Sequence, residues 1–297
     1  MKRLLISFSG GETSAFMCHW LLKNMADYYD EMVVVFANTS QENEETLAFV
    51  DLCDRLVFAP LGHRVVWVEA VQTNTRRAGF REVDFNSASR SGDVFEDAVR
   101  RYGIFNQKWP ACTRELKLRP ITAYLRSRGW KKNTYDTAVG IRFDEMDRMS
   151  ASAEVNRIMY PLIGLVPVTK REINAWWAKQ GFRLELPGYR GNCKWCWKKS
   201  DRKHLTLIGE DPGIYDFPRR MEALYGKVGA EFKRQTDPEY RRTFFRKNRS
   251  VDDMFDLFAN RGADFVPAHD DARVYDEELD VGGGCGGESC EVWSDEG

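Results

Sequence analysis

The chain has 297 residues, of which 43% are hydrophobic and 30% charged, proportions of a globular protein with apolar side chains enough for one large domain or two smaller ones. No apolar run has the length of a bilayer span, and the stretch from Leu4 to Phe8, after Lys2 and Arg3, is too short for a signal-peptide core and ends in glycines, so the membrane and secreted classes are set aside and a cytoplasmic protein is expected. The net charge of -1 hides an asymmetry: from Asp270 onward ten acidic residues face the single Arg273, leaving 43 basic and 35 acidic side chains in residues 1 to 269, a basic body that suits a polyanionic ligand such as a nucleotide or RNA.

In chain order, RLLISF (3–8) reads as a buried strand and TSAFMCHWLLKNM (13–25) as a helix. MVVVFA (32–37) reads as a second buried strand, NEETLAFVDLCDRLVF (43–58) as an amphipathic helix and RVVWVE (64–69) as a third strand. This β-α-β-α-β order, with strands rich in Val, Ile and Leu, predicts a doubly wound, mostly parallel α/β sheet covered on both faces. Residues 70 to 108 look irregular apart from a helix at GDVFEDAVRRYG (92–103); a helix broken near Pro120 follows over 113–129, then a fourth strand at TYDTAVGI (134–141). Beyond Thr169 come a helix at KREINAWWAKQG (170–181), a loop at LPGYRGNCKWCWKK (186–199) and a mostly helical stretch over 200–262. The expected organisation is a nucleotide-binding α/β domain over 1–168, a helical appendage with a CxxC loop over 169–268, and an acidic, Gly-rich, disordered tail over 269–297.

The turn leaving the first strand carries the strongest chemical signal. Such a loop aims backbone N–H groups and the positive end of a helix dipole at one point, which suits phosphate. Gly10 and Gly11 are expected to let an anion approach the backbone, so a branched residue at Gly10 should block phosphate and spare the fold; Ser9, Thr13 and Ser14 offer hydroxyls. The spacing is neither that of a Walker loop nor that of a dinucleotide fingerprint. A tight turn capped by a hydroxyl residue would account for the same letters.

Seven cysteines without a secretion signal argue for reduced thiols. Cys18 and Cys53 lie on apolar helical stripes and read as core. Cys193 and Cys196 form a chelating bite, and Cys112 is expected to join them from the same sheet edge in an iron-sulfur cluster, or in a zinc site that His204 completes. Cys285 and Cys290 stand in reserve among tail glycines. After the fourth strand, Arg142 and Arg148 can pair with phosphate while Asp144 and Glu145 can hold magnesium or simply face water. Arg114 and Lys117, within a turn of Cys112, can meet an anionic substrate. Trp176, Trp177, Trp195 and Trp197, with Lys198 and Lys199, would make a stacking surface for an unpaired base, or else core.

SFSGGETSAFM (7–17) resembles the pyrophosphate loop of the PP-loop (adenine nucleotide alpha-hydrolase-like) superfamily, and the chain resembles its phosphoadenosine phosphosulfate reductase-like branch, among uncharacterised bacterial and phage members. FANTSQENEETLAFV (36–50), CTRELKLRPI (112–121), VGIRFDEMDR (139–148) and GNCKWCWKKS (191–200) agree in order over roughly residues 1 to 210. The resemblance implies nucleotide contacts at Ser9, Gly10, Gly11, Glu12, Thr13, Ser14, Gly140, Arg142 and Arg148, with adenine near Ala37, Asn38 and Thr39. Thr13 stands where ATP-hydrolysing relatives have Asp, Ala111 precedes Cys112 where cluster-bearing reductases have a second cysteine, and Cys285 lacks the setting of a reductase nucleophile. The expected activity is therefore ATP-dependent adenylation of a nucleic-acid or small-molecule acceptor with release of pyrophosphate, coupled to sulfur transfer at the cluster, with Ser9, Arg142 and Lys117 as catalytic groups and magnesium as a companion ion. A phosphosulfate reductase and a non-catalytic nucleotide- or nucleic-acid-binding module are the alternatives.

Overall fold

The computed structural model describes residues 1–73, 79–270 and 277–280. β1 (Arg3–Ser7), β2 (Glu31–Asn38) and β3 (Val65–Val71) are joined by α1 (Glu12–Asn24) and α2 (Glu44–Cys53), and an antiparallel edge strand β4 (Gly79–Val83) follows. After α3 (Asp93–Tyr102) and α4 (Arg119–Ser127) the chain crosses to the other side of β1 as β5 (Asp136–Ala138) and then β6 (Ile158–Met159). The six-stranded order is β4-β3-β2-β1-β5-β6, parallel except at β4. This is a doubly wound α/β fold. Its winding reverses between β1 and β5, and crevices at that reversal, outside the carboxyl ends of the strands, are where such sheets bind ligands.

Alternation along the strands builds the two faces. Leu4, Ile6, Val34 and Phe36 bury one face under α1 and α2, with Met17, Cys18, Leu21, Phe49 and Cys53. Leu5, Val33, Val35 and Val68 bury the other against Ile121, Tyr124 and Leu125 of α4. Cys18 and Cys53 are thus core thiols, as their periodicity predicts.

The remaining elements are α5 (Pro161–Gly164), α6 (Lys170–Trp177), α7 (Asp201–Glu210), α8 (Asp216–Tyr225), α9 (Glu231–Arg234), α10 (Val251–Ala259) and α11 (Glu277–Asp280). Packing runs across residue 168, because Ile173, Trp177 and Leu184 share the core of α1. A third cluster joins Phe95, Ala98 and Val99 of α3 to Trp195, Leu207, Met221, Phe244 and Met254. Among the described residues, no helix is long and apolar enough to cross a membrane.

Candidate active site

The Ser-Gly-Gly turn sits at the reversal point. Phe8 still pairs with β2, its N–H donating to Val35 O at 3.0 Å, and α1 begins two residues after Gly10 with Gly11 as its N-cap. The Ser14 hydroxyl organises the turn: it accepts from Ser9 N at 3.2 Å, lies 2.9 Å from Ser9 Oγ and donates to Gly11 O at 3.0 Å. The loop after β5 closes on it from the other side. Gly140 runs so close that an added Cβ would stand 3.2 Å from Ser14 Cα, and Arg142 Nη1 donates to Thr13 Oγ1 at 3.1 Å. The Arg142 guanidinium also meets Asp144 at 3.0 Å and Glu145 at 3.3 Å, and Arg148 reaches Glu145 at 2.6 Å. Burial pushes the Asp144 carboxyl up, but the hydrogen bond and charge of Arg142 outweigh it and hold the group below its usual range.

Gly10 is also demanded by the packing, which the sequence does not suggest. Its φ of +86° is left-handed, and an added Cβ would stand 2.8 Å from Thr46 Cγ2 and 3.1 Å from Phe36 Cε2. The missing side chain leaves room for α2 and the sheet, so a branched residue here disrupts packing and does not spare the fold.

Three groups from α6 and the segment after it clamp the loop. Arg183 forms a bidentate pair with Glu12, with two 3.0 Å bonds, although the Glu12 side chain is only 3% exposed. Trp177 Nε1 donates to Glu12 O at 3.0 Å, and Asn192 Nδ2 donates to Ser9 O at 2.8 Å. The Glu12 carboxylate is thereby engaged by Arg183. The sequence does not show this clamp, and its one signal is Glu12 itself, a buried carboxylate that calls for a cation.

At the end of β2, Ala37, Asn38 and Thr39 are buried with their polar side chains engaged. Asn38 Nδ2 donates to Glu69 Oε1 at 2.6 Å and to Ser89 O at 2.9 Å, while Thr39 N and Oγ1 donate to the Glu42 carboxylate. The CxxC loop is stitched onto this segment by Asn43 N to Asn192 O and Lys194 N to Gln41 O, both 2.9 Å, and by Trp195 Nε1 to Gln41 Oε1 at 2.6 Å. Burial pushes the Glu42 carboxyl up, against the pull of Lys117 and Thr39. Between these segments lies a cleft of about 410 Å³, counted to its open mouth, with Cys112, Cys193, Cys196, Lys117 and Thr39 in its walls. Lys117 comes from a π turn, Arg114–Leu118, in which Arg114 pairs with Glu115 at 2.9 Å.

Several expectations are corrected here. The three cysteines share one cleft, yet among the described residues no group of three or more His, Cys, Asp or Glu is placed to hold a metal ion, which leaves the cluster and its zinc alternative unsupported. His204 completes no Cys3His site: it is buried, 2.8 Å from the Tyr215 hydroxyl through Nδ1 and edge-on to Phe245. Of the two readings of the tryptophans, packing is the one the geometry favours: Trp177 packs on Phe49, Trp195 on Phe95 and Phe244, Trp197 is buried, and the half-buried Trp176 lies against Phe16. Lys199 is buried and donates to Cys193 O. Cys285 and Cys290 lie outside the described residues.

No family model matches the chain. Over 294 residues, 97% of this chain and 94% of the relative, it is 29% identical to the uncharacterized nin region protein ORF290 of Escherichia phage lambda. Over 242 residues, 72% of this chain and 98% of the relative, it is 26% identical to the 7-cyano-7-deazaguanine synthase of Pyrococcus abyssi. The second likeness supports the PP-loop resemblance at the level of the superfamily.

Proposed function

We propose that this chain is an adenine-nucleotide-binding enzyme of the PP-loop type that adenylates an acceptor with release of pyrophosphate. The carrying observation is the meeting of two loops at the reversal of the sheet, where Arg142 reaches Thr13 at the start of α1. A loop so placed collects backbone N–H groups, a helix N-terminus of a 13-residue helix and a guanidinium. In the reaction, an acceptor oxygen attacks the α-phosphorus of ATP, the bond from that phosphorus to the α-β bridging oxygen breaks, and pyrophosphate leaves with the electron pair. The backbone from Gly10 to Ser14 and the Ser9 hydroxyl receive the pyrophosphate; Arg142, with Arg148 behind it, offsets the charge that develops on the leaving group. Adenine lies at the end of β2, where the backbone of Ala37 to Thr39 is the part left to contact it. Lys117, in the cleft wall, meets the acceptor.

Magnesium, when bound, supplies charge neutralisation on the phosphates. Asp144 and Glu145 are the carboxylates at that edge that would hold it, and Glu145 Oε2 is buried without a hydrogen-bond partner, although both side chains also pair with arginines. No step is assigned to a metal in the thiol cleft. The test is calorimetric titration with magnesium-ATP, followed by labelled ATP with candidate acceptors. Arg142→Ala should weaken ATP binding about tenfold to a hundredfold, the loss of one or two charge-assisted bonds, and AMP should appear only with an acceptor. Sulfite release from a phosphosulfate nucleotide, with no AMP from ATP under any condition, would overturn the reading in favour of a reductase.

A further inference from the structure

An exposed tryptophan and a chain of cations stand together on the surface beside the thiol cleft. Trp109 is 43% exposed although it closes a tight turn, Asn106–Trp109, whose shape is fixed from several sides. Trp109 N donates to Asn106 O at 3.1 Å, Lys108 N and Trp109 N each donate to Asn106 Oδ1 at 3.0 Å, and Asn106 Nδ2 donates across to Thr243 O at 2.8 Å. A large aromatic ring held outside the core on a pinned turn presents a surface already ordered for stacking. The Arg242 guanidinium lies 5.3 Å from the centre of that ring.

Arg242 belongs to residues 240–250, which hold five cations and no carboxylate. The segment turns at Arg246–Asn248, and both Lys247 (φ +58°) and Asn248 (φ +54°) are left-handed, a conformation that costs a non-glycine residue about 1–2 kcal/mol. The Phe245–Arg249 bridge holds the turn, and Lys247 is exposed at its tip. Arg241 donates to the carbonyl of Ala223, Arg242 to those of Tyr102 and Gly229 and Arg246 to that of Lys198, whereas Arg249 pairs with Asp201. Both arms of the patch are tied to the cleft: Trp109 precedes Cys112 by three residues, and the carbonyl that Arg246 grips is two residues beyond Cys196.

We infer that this face binds single-stranded nucleic acid, with an unpaired base stacked on Trp109 and the backbone phosphates paired to Lys108, Arg242, Arg246 and Lys247, and that the strand so held is the acceptor. The identity of the acceptor rests on the adenylation reading; the surface does not. An aromatic face beside cations takes unpaired bases of any sequence, and a duplex hides those faces. Four neutralised phosphates predict about a 50-fold loss of affinity between 50 and 200 mM salt.

The experiment is fluorescence anisotropy of labelled 20-mers, oligo-U and oligo-dT, titrated with the full chain without nucleotide, with a duplex of the same length and anionic phospholipid vesicles as the other arms. Single strands should bind more tightly than the duplex and with that salt dependence. Trp109→Ala should weaken binding at least fivefold, Trp109→Phe should keep most of it, and Lys108→Glu with Lys247→Glu should cost at least tenfold and flatten the salt dependence. Thermal midpoint and ATP affinity should be unchanged in all of them, which separates lost contact from lost fold. Comparison of oligo-U with oligo-dT assigns RNA or DNA. Wild-type affinity in Trp109→Ala, equal binding of the duplex, or binding to vesicles alone would overturn the inference. Strand binding without ATP binding would uphold the surface and refute the adenylation reading.

Discussion

Gly10 illustrates how one position can carry a requirement that the sequence does not display. Two consecutive glycines after a buried strand announce a tight turn at a helix N-terminus, and that much is legible. The direction in which the absent side chain would point is not, because it depends on Thr46 and Phe36, which arrive from other elements. Gly10→Ala should therefore lower the unfolding free energy by about 2–4 kcal/mol, combining left-handed strain with overpacking, and denaturant titration reads this directly. A stable Gly10→Ala variant that loses only ATP binding would restore the phosphate-approach explanation. Gly140 is the position where proximity to the backbone of the Ser-Gly-Gly turn decides the residue, since its neighbour is the Ser14 backbone.

At the scale of elements, long apolar strands and their crossover helices were legible because each carries its own period. β4 was not. Its five residues, GFREV, include Arg81, which stands opposite Glu69 in register and pairs with that fully buried carboxylate at 2.6 Å; an edge strand that buries a charge pair has no apolar signature. The break near Pro120 was legible, and the structure gives its form. The π turn Arg114–Leu118 widens the helix before Pro120, whose ring would otherwise crowd the preceding carbonyl. The clamp on the anion loop was illegible because Arg183 and Asn192 lie 171 and 183 residues from their partners. Arg183→Ala removes the bidentate cation partner of a buried carboxylate, and should cost about 1–3 kcal/mol while weakening ATP binding through displacement of Glu12. Arg183→Lys should recover part of the stability and less of the affinity, since a single ammonium cannot reproduce the two-pronged contact. Urea titration and calorimetry on the same preparations check both; unchanged ATP affinity in a destabilised Arg183→Ala protein would confine the pair to folding.

Over the described residues, four apolar clusters are stitched by buried polar groups, and one of these links stability to pH. His204 is enclosed by α7, Tyr215 and Phe245, with Lys199, Lys203, Arg246 and Arg249 around it. Desolvation first, and those cations second, push its imidazole well below the ordinary 6.5. The unfolded chain then takes up a proton near pH 6.5 that the folded chain refuses. Its contribution is complete above that pH and is lost as pH falls below it, with a limiting slope of about 1.4 kcal/mol per pH unit. His204→Asn, which keeps an acceptor and a donor near Tyr215, should start less stable and show a shallower fall between pH 7 and pH 5; parallel slopes for both proteins would assign the acid sensitivity to other groups. The four tryptophans carry a related lesson. Spacing marks them as buried or stacking without deciding which, and Trp109, the exposed one near the cleft, carries no periodic signal at all.

The hydrogen bond from Asn192 to Ser9 has a consequence for modularity. The crevice at the reversal of the sheet borrows Trp177, Arg183 and Asn192 from beyond residue 168, so the sheet and its connecting helices are not a severable unit. A fragment cut after the last strand would keep every glycine and hydroxyl of the anion loop and lose what holds them in place. Exchange of the later segment between related chains would transplant Arg183 and Asn192 along with Cys193 and Cys196, so the two halves of such a chain have to match across the Ser-Gly-Gly turn.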